Sequence, residues 1–130
     1  MGENSLIAMS GLPDPVQIAR MPYTQRNQTL MQMLPMLLRM KPEEAESVIY
    51  QIADALATRA TDDEYRGWCD SMLRILSSFD IPTIKAVLQI RSKVLSRLPK
   101  EKADKLNRIA QEAIAGLDES VRNKLMAAMK

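Results

Sequence analysis

Histidine is missing from this chain, cysteine occurs once, and glycine four times. Aromatic side chains are limited to Tyr23, Tyr50, Tyr65, Trp68 and Phe79. Each shortage excludes something. Without His the commonest general base and metal ligand is gone. Cys69 alone permits no intramolecular disulfide and no multi-cysteine metal site, which fits a reducing compartment. Few glycines and few aromatics argue against a β-sandwich or barrel. No apolar run approaches the ~18–20 residues of a membrane span; the longest candidate, Leu30 to Leu38, contains Pro35. No basic segment precedes the short apolar patch Leu6-Ile7-Ala8-Met9, so a signal peptide is not expected. Leu6 stands where a myristoylation signal beginning at Gly2 needs Ser or Thr. The formal charge of +2 is too small to call for a polyanionic partner. A soluble, cytoplasmic protein without cofactor or metal is the expectation.

What the chain does have is a recurring boundary. An apolar residue followed by Pro or Asp, often with acidic residues after it, appears at Met21-Pro22, Met40-Lys41-Pro42, Phe79-Asp80-Ile81-Pro82, Leu98-Pro99 and Leu117-Asp118-Glu119. The steps between the apolar residues are 19, 39, 19 and 19, and Thr61-Asp62-Asp63-Glu64 divides the long one. Proline is tolerated in a first helical turn, Asp and Thr cap helix N-termini, and acidic residues complement the helix dipole there. The spacing therefore predicts about six helices over 23–40, 42–58, 62–78, 81–97, 99–115 and 119–129. Apolar residues at i, i+3 and i+4 support this, most clearly Ala45, Val48, Ile49, Ile52 and Leu56. Thr61 with Glu64 reads as a capping box. Pro35 is expected to kink or split its helix. Gly116 is expected to take the left-handed position after a helix end.

The fold class expected is all-α: a compact helical bundle of short amphipathic helices with tight turns. A short α-solenoid of stacked helical hairpins is the alternative. Its period would be near 38 residues, because Arg20-Met21-Pro22 recurs as Arg97-Leu98-Pro99 at an offset of 77. Leu37 and Ile114, Met40 and Leu117, and Val48 and Leu125 match at that same offset. Residues 1–20 read as an N-terminal arm and 21–130 as one helical domain. The arm holds Ser10-Gly11-Leu12-Pro13-Asp14-Pro15, which is turn chemistry. It also carries Leu6, Ile7, Met9, Leu12, Val16 and Ile18, too apolar for a solvated tail. These residues lie either on the chain's own body or on a partner.

Two constellations suggest binding. Met21, Met31, Met33, Met36 and Met40 are half of the chain's ten methionines within twenty residues. Flexible thioether side chains fill irregular core gaps, and they also suit surfaces that repack around a partner. Met31, Met33, Met36 and Met40, with the apolar arm residues, are thus candidate partner contacts. The second constellation is basic: Lys85, Arg91, Lys93, Arg97, Lys100, Lys102, Lys105 and Arg108, against Glu101 and Asp104 alone. Such a patch is a solvated face, an attractor of an acidic protein, or a phosphate-neutralising surface. No aromatics interleave it and no readout motif accompanies it. The acidic groups Glu43-Glu44-Glu46, Asp62-Asp63-Glu64 and Asp118-Glu119 fall at helix starts, where capping accounts for them. Cys69 sits beside the stripe Tyr65, Trp68, Met72, with no base to activate it. Thioethers without His or Cys beside them do not make a copper site. The functional expectation is a non-enzymatic protein–protein interaction module, an adaptor or small accessory subunit, with self-association included. The alternative is a nucleic-acid-associated helical protein using the basic residues 85–108.

Overall fold

The computed structural model describes residues 13–130. Among them the chain forms seven helices and no strand: α1 (Pro15–Arg20), α2 (Tyr23–Arg39), α3 (Pro42–Arg59), α4 (Asp62–Leu76), α5 (Ile81–Arg97), α6 (Lys100–Ala115) and α7 (Glu119–Met129). The chain is all-α, as its pattern predicts, and six helices begin and end within two residues of their expected limits. The seventh, α1, lies inside what reads from sequence as an arm. The Asp14 carboxylate accepts a hydrogen bond from the Val16 N–H at 3.0 Å, and Pro15 occupies the first helical position. What looks like turn chemistry thus starts a short helix, with Pro15 inside it and Pro13 just before its cap. Val16 and Ile18 on α1 are 1% and 0% exposed.

The recurring boundary is a structural corner. Four connections have two residues each: Met21-Pro22, Met40-Lys41, Ala60-Thr61 and Leu98-Pro99. All eight residues are extended, with φ between −53° and −87° and ψ between 145° and 166°. The first residue's N–H closes the preceding helix, as Met40 N–H does on Leu37 O and Leu98 N–H on Leu95 O. Its side chain turns into the core. The second residue opens the next helix, where a proline's missing N–H leaves no bond unmade. At Thr61 the capping box forms as expected: the hydroxyl accepts from Glu64 N–H at 3.1 Å, and Glu64 Oε1 accepts from Thr61 N–H at 2.9 Å. The longer corner before α5 ends on Asp80, whose carboxylate accepts from Thr83 N–H at 3.2 Å. Gly116 corrects an expectation. Its φ is −89° and ψ −1°, a right-handed conformation, so no left-handed turn requires glycine there.

Alternate helices pack side by side. α2, α4 and α6 form one layer and α3, α5 and α7 the other; α3 crosses to α6, and α1 sits against α2, α3 and α4. A step of two helices is the packing unit, which gives the 38-residue spacing its physical meaning. The corners before α2 and α6 are 77 residues apart, yet the buried faces of those helices match best at 76. Leu30 corresponds to Leu106, Met33 to Ile109 and Leu37 to Ala113, all buried, while Arg26 and Lys102 are both half-buried. One residue is about 100° of helix rotation, so the buried stripe of α6 is offset by that much from its corner compared with the stripe of α2.

Burial explains why the layers hold together. Leu30, Leu56, Ile84, Leu106, Ile109 and Leu125 are all but inaccessible to solvent, and each contributes roughly 1.5–3 kcal/mol by leaving water. The fully buried Ser71 hydroxyl is satisfied from α2: Arg26 Nε donates to it at 2.7 Å. Gly67, one turn earlier on α4, makes room for that guanidinium, because a Cβ there would stand 2.9 Å from Arg26 Nη1. α2 runs through Pro35 without splitting. The missing Pro35 N–H would have served the carbonyl of Met31, and Met31 is exposed, so water is at hand to take its place.

Candidate functional site

The outward side of α2 is unusual for its lack of charge. Its exposed residues before Arg39 are Tyr23, Thr24, Gln25, Gln28, Met31, Gln32, Met36 and Leu38. Met31 is 59% exposed and Tyr23 51%. The partner candidates thus divide. Met31 and Met36 face out. Met33 is buried, and Met40 is half-buried against the core at its corner. Val16 and Ile18 are used within the chain's own core. Leu6, Ile7, Met9 and Leu12 lie outside the described residues.

Between the two layers lies an apolar crevice of about 180 Å³, to which all six long helices contribute. Met33 and Leu37 come from α2, Ile52 from α3, Trp68 and Met72 from α4, and Met129 from α7. Small side chains at Ala45, Ala53 and Ala110 leave the space open. At one end it meets an open cleft of about 420 Å³ whose walls include Ser92, Ser96 and Asn107. Leu88, Arg91 and Met129 line both. Tyr65 and Cys69 form part of the crevice wall. Burial pushes the Tyr65 hydroxyl up from its usual range and the Cys69 thiol up to about 11, so the thiol is protonated at neutral pH and a poor nucleophile.

The basic stretch is gathered on α5 and α6, and most of its charge is paired within the chain. Arg97 reaches Glu46 at 2.8 Å and lies over the Tyr50 ring at 4.9 Å. Lys100 pairs with Asp104 at 2.8 Å and Lys102 with Asp54 at 2.7 Å. Arg108 contacts Asp62 at 3.4 Å and Glu112 at 3.6 Å. Lys105 donates to the carbonyls of Ala57 in the last turn of α3 and of Ala60 in the corner after it, at 3.2 and 3.3 Å, which satisfies acceptors the helix end leaves free. Lys85, Arg91 and Lys93 have no carboxylate within 4.0 Å among the described residues; Lys85 and Lys93 are exposed and Arg91 half-buried. Of the acidic groups at helix starts, Glu44 and Glu64 accept from the Lys41 and Thr61 N–H groups, and Glu46 and Asp62 join these pairs. Asp118, expected as a cap, makes no side-chain cap and lies 3.8 Å from Arg74 instead. Among the described residues no three Cys, Asp or Glu side chains converge as a metal site would need, and no helix is long and apolar enough to cross a membrane.

No protein-family model, curated protein or solved structure matches this chain. Sequence reasoning singled out Met31 and Met36 but missed Tyr23 and Leu38 beside them, and it missed the crevice altogether. The available signal for the first was a run of sixteen residues, Tyr23 to Leu38, with Arg26 as its one charge. For the crevice there was the set of alanines on helix faces that otherwise carry Leu and Ile.

Proposed function

We propose that this chain is a non-enzymatic protein-interaction module that docks a partner on the outward face of α2. The observation that carries this reading is the uncharged exposed surface containing Tyr23, Met31, Met36 and Leu38. Interface centres are depleted in charge and enriched in Met and aromatic residues, whereas solvent faces of helices are charged. α2 also stands at an end of its layer, where a helical stack ordinarily presents a polar cap. The apolar residues Leu6, Ile7, Met9 and Leu12 would add contact area by their composition. An adaptor, or a small accessory subunit of a larger assembly, is the role that such a face serves. Internal pairing of the basic stretch favours a protein partner over a nucleic acid.

The test is affinity capture from the native host's lysate, run with nuclease and at high salt. A stoichiometric protein that survives both treatments and is lost with Met31→Glu supports the reading. Capture that requires nucleic acid, or that Met31→Glu leaves intact, overturns it. Sedimentation of the purified chain separates self-association from a second protein as the occupant.

A further inference from the structure

We propose that the interlayer crevice is a binding site for a small monoanionic amphiphile of the fatty-acid class, its carboxylate on Arg91 and its tail among Met33, Leu37, Trp68 and Met72. Three observations meet here. The first is space. An apolar cavity of about 150 Å³ stays dry and admits a benzene-sized guest, and this crevice offers about 180 Å³. The second is access. The crevice opens to the cleft through Leu88, Arg91 and Met129, and the cleft brings Ser92, Ser96 and Asn107 to the same mouth. A guest that enters there has an apolar end inside and a polar end at the surface.

The third observation is Arg91. Its guanidinium donates to Asn107 Oδ1, the Tyr65 hydroxyl and the Leu106 carbonyl, each at 3.4 Å. All three acceptors are neutral and all three bonds are long. No carboxylate lies within 4.0 Å of it among the described residues, although five other cations of the basic stretch have one. A half-buried guanidinium held by long bonds to neutral groups is suited to a bidentate carboxylate, the geometry its planar fork matches best. Charge at the mouth and apolar lining behind it select an anionic amphiphile over a cationic or neutral one.

This site meets the α2 docking face only at Leu38, which lines the crevice; neither Met31 nor Met36 does. Trp68, the sole tryptophan, does line it and reports occupancy directly. The experiment titrates the purified full chain with octanoate and with octanoate brominated at its tail end, following Trp68 fluorescence. Octylammonium and octanol serve as charge controls. Saturable quenching by the brominated acid, with octanoate bound well above octylammonium, is the expected result. Arg91→Gln weakens octanoate roughly ten- to hundred-fold, the range for losing a charged hydrogen bond, and leaves octanol nearly unchanged. Ala110→Leu fills the crevice and removes all binding, while Met31→Glu binds octanoate like the parent chain. Absence of saturable quenching, or equal affinity for octanoate and octylammonium, overturns the proposal. Both readings come from the unsubstituted protein, so they hold even where a variant fails to fold.

Discussion

At the two ends of one layer, α2 and α6 present different chemistry in matching places. α2 shows Thr24, Gln25, Gln28, Met31, Gln32 and Met36 to solvent; seventy-six residues later, α6 shows Lys100, Glu101, Asp104, Asn107, Arg108 and Glu112. On α6 the charges pair along the helix, Lys100 with Asp104 and Arg108 with Glu112. On α2 no such pair is possible. Inward, the two helices are alike: both bury an apolar stripe against α4 and both follow an apolar-proline corner. Equivalent packing with unequal outer faces separates what the fold requires from what it leaves free. The fold requires the stripe and the corner. The charge of the outer face is left to function.

The largest expected effect tests the inward likeness. Leu30→Ala and Leu106→Ala each remove a side chain at most 1% exposed, and each should cost about 2–5 kcal/mol in urea unfolding. Closely similar losses sharpen the equivalence; a small loss at one site and a large one at the other breaks it. Next comes the pair of half-buried cations. Arg26→Ala leaves the fully buried Ser71 hydroxyl without its donor, which should cost about 1–3 kcal/mol. Lys102→Ala removes only a solvent-screened contact with Asp54, and its measured loss should be clearly smaller.

A smaller effect comes from acid titration at the α1 end. Partial burial raises the Asp14 carboxyl, but hydrogen bonds from Arg59 and Val16 N–H outweigh it and hold it below the usual range. The Thr61 N–H and Arg20 do the same for Glu64. A carboxylate lowered in the folded state binds protons less readily there than in the unfolded chain. Its stabilisation is therefore present above the ordinary values of 3.8 for Asp14 and 4.5 for Glu64, and is lost as pH falls through the lower folded values. Unfolding midpoints measured from about pH 6 down to pH 3 should fall in that window, and Asp14→Asn should make the fall shallower. The smallest change concerns Cys69. Its buried thiol should react with a disulfide reagent far more slowly in the native protein than in urea, a contrast that timed labelling reads directly.

These contrasts also show where sequence reasoning reaches its limit. The corners were legible because proline, Asp and Thr act locally: Pro42, Thr61, Asp80 and Pro99 each start or cap a helix where the pattern puts one. α1 was hidden because six residues between Pro15 and Arg20 cannot display a helical period. Gly116 misled because a glycine after a helix is compatible with either hand of the turn. Arg91 looked like one more member of a basic run. What distinguishes it is partial burial without a carboxylate: Glu46, Asp54 and Asp62, far earlier in the chain, fold onto other members of the run, while Lys85 and Lys93, which also lack a partner among the described residues, are exposed. The crevice depends on the distances among six helices, which no single helix encodes.

The central claim, that the α2 outer face is made for contact and the α6 face for water, is tested most directly by transplanting one onto the other. Thr24→Lys, Gln25→Glu, Gln28→Asp, Met31→Asn, Gln32→Arg and Met36→Glu together give α2 the α6 surface. Surface changes of this kind alter stability within about 0.5 kcal/mol each. The measurement is the stoichiometry of partner captured by this variant beside the parent chain, with the thermal midpoint recorded for both. A near-parental midpoint with the partner lost is the predicted result. A near-parental midpoint with the partner fully retained would contradict the account.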